Sequence, residues 1–271
     1  MNVAHRPASN PHMKTSPCWW LAGLLLAAHP GAAPAAESTL PEPAEIIRRV
    51  LDNLEREIAN EKVFKQNYRY TRSKVREFRN TEGEVRKTES KTRTNDPLAV
   101  VVGKAPAKPR PQPPSPKNKI TETETNVKGK AFEESDFPLG EELLERFEFV
   151  VAGREPVNGR PALILDFQPA KKRLPERGLK DKFINKAAGR VWVDEADAVL
   201  VKADLFLTEP VSVMGGLVGA VKVFTFNFLR QRTAEGLWFT RDSKWYLEGR
   251  EVFIKRVVSN REEIRDVQKV K

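Results

Sequence analysis

The side chains best suited to catalysis are confined to the start of this chain. All three histidines and the single cysteine lie within the first 29 residues, at His5, His12, Cys18 and His29. The first 35 residues have a basic start, an apolar run over residues 19–28 and small residues at 33–35, the pattern of a cleaved export signal. We expect residues 1–35 to be removed, which leaves residues 36–271 without His or Cys. Thiol nucleophiles, disulfides, histidine general bases and zinc sites built from His or Cys are then excluded.

Carboxylates are the remaining candidates for chemistry. Asp194, Glu195 and Asp197 share a turn and offer the oxygen ligands that calcium takes, but aspartate is also favoured in turns for backbone reasons, and we expect no metal. A glycosidase needs two carboxylates at a set separation, and no pattern selects a pair among the 37 acidic residues. The G-x-S-x-G and G-x-x-x-x-G-K motifs are absent from the sequence. We predict that the protein is not an enzyme and uses no cofactor.

The charge of the chain indicates the surfaces it meets. Removal of residues 1–35 takes away Arg6 and Lys14 and leaves 45 basic against 37 acidic residues, a net charge of +8. A basic exported protein meets anionic lipid head groups and envelope polymers, although such charges also serve simply to solvate exposed strands. Residues 68–79 interleave aromatic and basic side chains, a pattern that stacks single-stranded bases, but export argues against a nucleic-acid partner. The apolar run at 19–28 is shorter than the ~20 residues of a membrane span, and we expect no transmembrane segment in the mature chain.

The periodicity of apolar residues predicts a mainly β protein with few helices. Ile46, Val50, Leu54 and Ile58 recur at helical spacing and predict one helix of four or five turns, with a change of period near Phe64. Two-residue alternation then dominates, with a hairpin turn at residues 80–83 and a second short helix at 179–188. Further strands are predicted at 147–151, 163–167, 191–193, 199–207 and 224–228, at 237–241, 244–247 and 251–258, and at the edge at 262–267.

Eight or more strands with one apolar face must bury that face. We therefore predict one domain over residues 36–271, built on a single curved antiparallel sheet, an incomplete β-barrel, which the N-terminal helix and a short lid cover. Six prolines within residues 104–118 predict a flexible, extended insertion. The lid is predicted in a glycine-rich segment, where a packed loop is the alternative, at Val213, Met214, Leu217 and Val218.

Several short segments resemble exported bacterial proteins of the LolA-like superfamily, which sorts and carries lipoproteins to the outer membrane. The resemblance lies in residues 64–68, 189–194, 201–203, 210–213 and 236–239, and it covers most of the mature chain. It implies an incomplete β-barrel with helices over its open mouth, whose cavity holds acyl chains or senses lipoproteins.

The expected function is therefore non-enzymatic: a periplasmic, monomeric protein that binds or carries a lipid or lipoprotein acyl chain in an apolar β cavity. The alternative is an envelope interaction or sensor module with a filled core, which binds an anionic polymer or protein through its basic hairpin and proline-rich arm. The residues expected to line the acyl cavity, or to fill an ordinary core, are Tyr68, Tyr70, Phe149, Leu165, Phe167, Val193, Val201, Leu205, Phe224, Phe226 and Phe228.

Overall fold

The structure, a computed structural model, describes residues 40–99, 142–172, 174–176, 178–213, 219–251 and 254–270. The predicted export signal at 1–35 and the proline-rich insertion at 104–118 lie outside the described residues. The helices described are α1 (Pro43–Asp52), α2 (Leu54–Asn67), α3 (Glu142–Arg146) and α4 (Leu179–Ile184). The strands described are β1 (Tyr68–Arg79), β2 (Val85–Asn95), β3 (Phe147–Val157), β4 (Arg160–Pro169), β5 (Ala187–Asp194), β6 (Leu200–Leu207), β7 (Val211–Val213), β8 (Gly219–Arg232), β9 (Trp238–Glu251) and β10 (Ile254–Lys269).

All ten strands belong to one antiparallel sheet. Its order is β2-β1-β10-β9-β8-β6-β5-β4-β3, with β7 paired to β8 beside this path. Since β2 and β3 form the two ends of the order and do not pair with each other, the sheet is not closed. The predicted fold class, a mainly β protein with one open antiparallel sheet and few helices, is confirmed.

The N-terminal helix differs from its prediction in two ways. It is a pair of helices, because the chain leaves the helical path at Asn53, whose side-chain amide donates a hydrogen bond to the backbone carbonyl of Asp197 at 2.9 Å. After this break Ile58 is half exposed rather than buried. The expected strand start at Phe64 is also wrong, because α2 continues to Asn67. The i, i+4 spacing of Phe64 and Tyr68 fitted the helix as well as the strand alternation.

The other boundaries follow the prediction with smaller changes. The helix expected at 179–188 ends at Ile184, and β5 already begins at Ala187. The separate strands expected near the C-terminus are two long strands, β9 and β10, of 14 and 16 residues. The segment expected as an edge strand lies inside the sheet, because β10 is hydrogen bonded to both β1 and β9.

The pairing register shows that one face of the sheet is apolar from β3 to β9. Phe149 is paired with Phe167, Leu205 with Phe226, and Phe226 with Trp245. Residues directly opposite in antiparallel strands lie on the same face. We call this the front face.

Gly189 has a special place on the front face, between β4 and β6. Its φ is +157°, and a Cβ there would lie 2.1 Å from the backbone oxygen of Asp204 on β6. Gly153 has a similar φ of +141°, but a Cβ there would meet nothing within 4 Å. The two glycines therefore share the same backbone requirement and differ in the available space.

We expect Gly189→Ala to lower the free energy of unfolding by about 2 kcal/mol more than Gly153→Ala. Both variants strain the backbone, but only the new Cβ at position 189 clashes with a neighbouring strand. Urea unfolding of both variants measures the difference. Equal losses would show that β5 and β6 are not in the close contact described.

Candidate functional site

A cavity of about 130 Å³ lies between the front face and α1. It is bounded by strands β3, β4, β5, β6 and β8 and by side chains of α1 and α4. The sixteen described residues that line it are all apolar: Ile47, Val50, Leu51, Phe147, Phe149, Leu165, Phe167, Ile184, Ala187, Val191, Val193, Leu200, Ala203, Leu205, Phe226 and Phe228.

Seven of the eleven residues expected at an acyl cavity surround this space. They come from five strands and meet here because the alternating pleat places them all on the front face. The seven are Phe149, Leu165, Phe167, Val193, Leu205, Phe226 and Phe228.

Two of the expected residues, Tyr68 and Tyr70, lie in a different cluster. Phe64 of α2 stacks on Tyr68 at 5.0 Å, on Tyr70 at 5.2 Å and on Phe239 at 4.8 Å between ring centroids. The Tyr68 hydroxyl donates a hydrogen bond to Glu235, which lowers the pKa of that carboxyl to about 2. These tyrosines join α2 to the sheet.

The remaining expected residues are also away from the cavity. Val201 is buried in a cluster with Trp192 and Trp238. Phe224 packs edge-on against Phe183 of α4, with 6.2 Å between ring centroids. Of the four expected lid residues, Val213 lies in β7 and the other three lie outside the described residues.

Sequence reasoning missed the contribution of α1 to the cavity. Ile47, Val50 and Leu51 of this helix line the space, and Ile46 beside them is 2 % exposed. Their spacing of three and four residues marks one stripe of a helix, which was visible in the sequence. What the sequence did not show is which face of the sheet this stripe covers.

Two hydrogen bonds attach α1 to the turn between β5 and β6. Arg49 donates from its guanidinium to the carbonyl oxygen of Glu195 at 2.8 Å, and Asn53 donates to that of Asp197 at 2.9 Å. The helix that covers the cavity is therefore fixed at its C-terminal end to one particular turn.

An ion pair holds this turn in shape. The Asp194 carboxylate is almost fully buried and accepts hydrogen bonds from Arg160 Nε at 2.6 Å and Nη2 at 2.8 Å. It also accepts from the backbone N–H groups of Ala196 and Asp197. Burial alone would raise the pKa of Asp194, but these hydrogen bonds outweigh it and lower the pKa below its usual value.

The other two acidic residues of the turn are also engaged with arginines. Asp197 accepts hydrogen bonds from Arg232 at 2.7 Å and from the indole of Trp238 at 2.9 Å, and Glu195 accepts from Arg154 at 2.7 Å. The three carboxylates considered as calcium ligands thus bind cationic side chains of the sheet.

The described part of the chain contains no cluster of three or more His, Cys, Asp or Glu that could hold a metal ion. Among the same residues, no helix combines the length and apolar character needed to cross a membrane.

Comparisons with known proteins show similarity to solved structures. No protein-family model and no curated protein matches it. Among solved structures, it is similar to a domain described as an outer membrane lipoprotein-sorting protein from Vibrio parahaemolyticus, with a TM-score of 0.34 and 14% identity over 82% of this chain and 93% of that one. It is also similar to a DUF1329 family protein from Desulfovibrio piger, with a TM-score of 0.30 and 13% identity over 82% and 92% of the two chains.

A third similar structure is the MucA/MucB complex of Pseudomonas aeruginosa, with a TM-score of 0.22 and 9% identity over 82% of this chain and 99% of that one. The sequence identity is low in all three comparisons, and the expected resemblance to the LolA-like group stands as a similarity to these structures.

We expect Asp194→Asn to lower the free energy of unfolding by about 3 kcal/mol, because it removes the buried carboxylate and leaves Arg160 only its longer ion pair with Asp197, at 3.3 Å. The matched control is Asp166→Asn. Asp166 binds Arg190 through two similar hydrogen bonds, but the pair is nearly half exposed, and the expected cost is below about 1 kcal/mol.

We expect Asp194→Asn also to change how the free energy of unfolding falls with pH. Because the pKa of Asp194 is lowered in the folded protein, its stabilisation is present above the unfolded pKa of about 3.9 and is lost as the pH falls below that value. Denaturant unfolding between pH 6 and pH 3, roughly the range that spans this value, should show a shallower decline for Asp194→Asn than for the wild type. Parallel declines would contradict the role given to Asp194.

Proposed function

We propose that the protein is an exported, non-enzymatic protein that binds or carries a lipid or lipoprotein acyl chain in the cavity beneath α1. The observation that carries this proposal is the composition of the cavity wall, in which every lining residue that the structure describes is apolar. A cavity that recognises a polar small molecule would need a few placed polar groups to orient it. An acyl chain needs none.

The energetics of such a wall suit a carrier. Each methylene group removed from water contributes roughly 0.8 kcal/mol, wherever the apolar contact is made. A chain held this way avoids water strongly, yet it loses little when it moves to another apolar site. An apolar wall therefore favours uptake and release over permanent capture.

The size of the cavity implies that the cover moves when a long chain enters. At about 130 Å³ it is close to an engineered apolar cavity of about 150 Å³ that holds benzene, and smaller than ligand pockets of about 300–1,000 Å³. The element that can make room is α1, a ten-residue helix that contributes Ile47, Val50 and Leu51 to the wall. Displacement of α1 exposes the front face without breaking a strand pair of the sheet.

The character of the wall also supports a non-catalytic role. None of the residues described around the cavity titrates, and the nearby Asp194 and Arg160 are bound to each other. General acid–base or nucleophilic chemistry would need such a group within hydrogen-bond distance of the ligand. Export to the periplasm rests on the sequence of residues 1–35.

The modest cavity volume favours a second candidate function, an interaction module with a filled core. Its binding surface would be the β1–β2 hairpin, whose strand β2 is exposed over almost its whole length, together with the proline-rich arm at 104–118. The lipid-binding experiment described next separates the two candidate functions.

A test of the carrier is to fill the cavity. Ala187 lines it and is partly exposed, so Ala187→Leu places new methyl groups in the space that the acyl chain would occupy. We expect the affinity for myristoyl lysophosphatidylcholine to fall about tenfold, as displacement of two methylene groups would require. Isothermal titration calorimetry below the critical micelle concentration measures it.

The control is Ala59→Leu, which makes the same change at an exposed position of α2 and should leave the affinity unchanged. Urea unfolding of both variants checks that each remains folded. If the wild type takes up no lipid, or if Ala187→Leu binds as the wild type does, the acyl chain does not occupy this cavity.

A further inference from the structure

The front face continues beyond the cavity, across β10, β1 and β2. The register pairs Trp245 of β9 with Asn260 of β10, Asn260 with Arg76 of β1, and Arg76 with Glu89 of β2. Residues paired directly across antiparallel strands share a face. The side chains of β1 and β2 in this register therefore lie on the same face as Phe226, which is paired with Trp245.

On these outer strands the front face changes from apolar to basic. Alternate residues of β1 and β2 form a group that we call the basic strip: Arg72, Lys74, Arg76, Lys87, Lys91 and Arg93. On the same face, Glu89 binds Lys87 at 2.6 Å, and Glu262 binds Arg72 and, at 3.6 Å, Lys74. Six cations against these two carboxylates leave the strip with an excess of positive charge.

Within the strip, like charges lie directly opposite each other on the two strands. Arg72 is directly opposite Arg93, and Lys74 is directly opposite Lys91. Like charges in such cross-strand positions destabilise a sheet. A bound anion would remove this repulsion, whereas a surface needed only for solubility would gain by alternating the signs.

The boundary between the apolar wall and the strip holds polar atoms without partners. The Arg76 guanidinium lies over the Trp245 ring, 5.9 Å from its centroid. Within the described residues, the buried Arg76 Nε and Asn260 Oδ1 have no hydrogen-bond partner, and Asn260 is only 5 % exposed. Buried polar groups are normally satisfied, so the Arg76 Nε–H at this boundary indicates an acceptor that is supplied from outside, such as a phosphate oxygen, whereas Asn260 Oδ1 needs a donor.

We propose that the ligand is an anionic glycerophospholipid, whose acyl chain enters the cavity and whose head group binds the basic strip. This inference rests on the proposed function, to which it adds the class of lipid. Three strand spacings separate β8, which carries Phe226, from β1, or about 14 Å across the face. The apolar and basic parts of the face therefore match the two parts of one amphiphile.

The test compares two lipids that differ in head-group charge. Myristoyl lysophosphatidylglycerol and myristoyl lysophosphatidylcholine share the acyl chain, and only the first has a net negative charge. Protein is purified without detergent from cells that express the full chain, and titrated below both critical micelle concentrations. We expect the wild type to bind the anionic lipid about tenfold more tightly, with a preference that shrinks as salt is added.

The decisive variant is Lys91→Glu with Arg93→Glu, at two exposed positions of the strip. We expect this variant to lower the affinity for the anionic lipid alone, so that the affinities for the two lipids come within about twofold of each other. The matched control is Lys222→Glu with Lys244→Glu, two exposed lysines of β8 and β9 outside the strip, which makes the same change in net charge and should keep the preference.

The outcomes separate this inference from the proposed function. Equal binding of both lipids by the wild type, or an equal loss of preference in the two double variants, would overturn the head-group site and leave the acyl cavity standing. If the wild-type protein binds neither lipid, the proposed function is overturned and the inference with it.

Discussion

An antiparallel sheet with one apolar face must keep that face from water, and in this chain the element that does so over the cavity is α1. The helix is short, and its position depends on one turn, to which Arg49 and Asn53 are hydrogen bonded. The turn is held by the buried Asp194 carboxylate and its pair with Arg160, and also by the ion pairs of Asp197 with Arg232 and of Glu195 with Arg154. These ion pairs at the end of β5 therefore position the cover of the candidate site.

This constraint also explains why a carrier is compatible with a small cavity. The sheet is held by strand pairing along ten strands, whereas α1 is held by an apolar stripe and two side-chain hydrogen bonds. An incoming acyl chain can replace the contacts of Ile47, Val50 and Leu51 with equivalent apolar contacts, so the exchange costs little burial. In the proposed carrier, the sheet stays in place and α1 is the element that moves.

Much of this arrangement follows from the sequence, since strict alternation placed Phe149, Phe167, Leu205 and Phe226 on one face and a sheet with one apolar face must be covered. The sequence could not show that Tyr68 and Tyr70 pack against α2, because the spacing of Phe64 and Tyr68 fits both a helix and a strand. The sequence also could not show which strands lie beside each other in the sheet. The like-charged pairs of the basic strip, such as Lys74 opposite Lys91, exist only in the register of β1 and β2.

The measurement that tests the central claim most directly is native mass spectrometry of the protein, purified without detergent from cells that express the full chain. The account predicts added masses that match lipids, that disappear on organic extraction and that return when an acyl lipid is supplied. A clean mass of the protein alone, with no uptake of added lipid, would contradict it and leave the front face as an ordinary packed core.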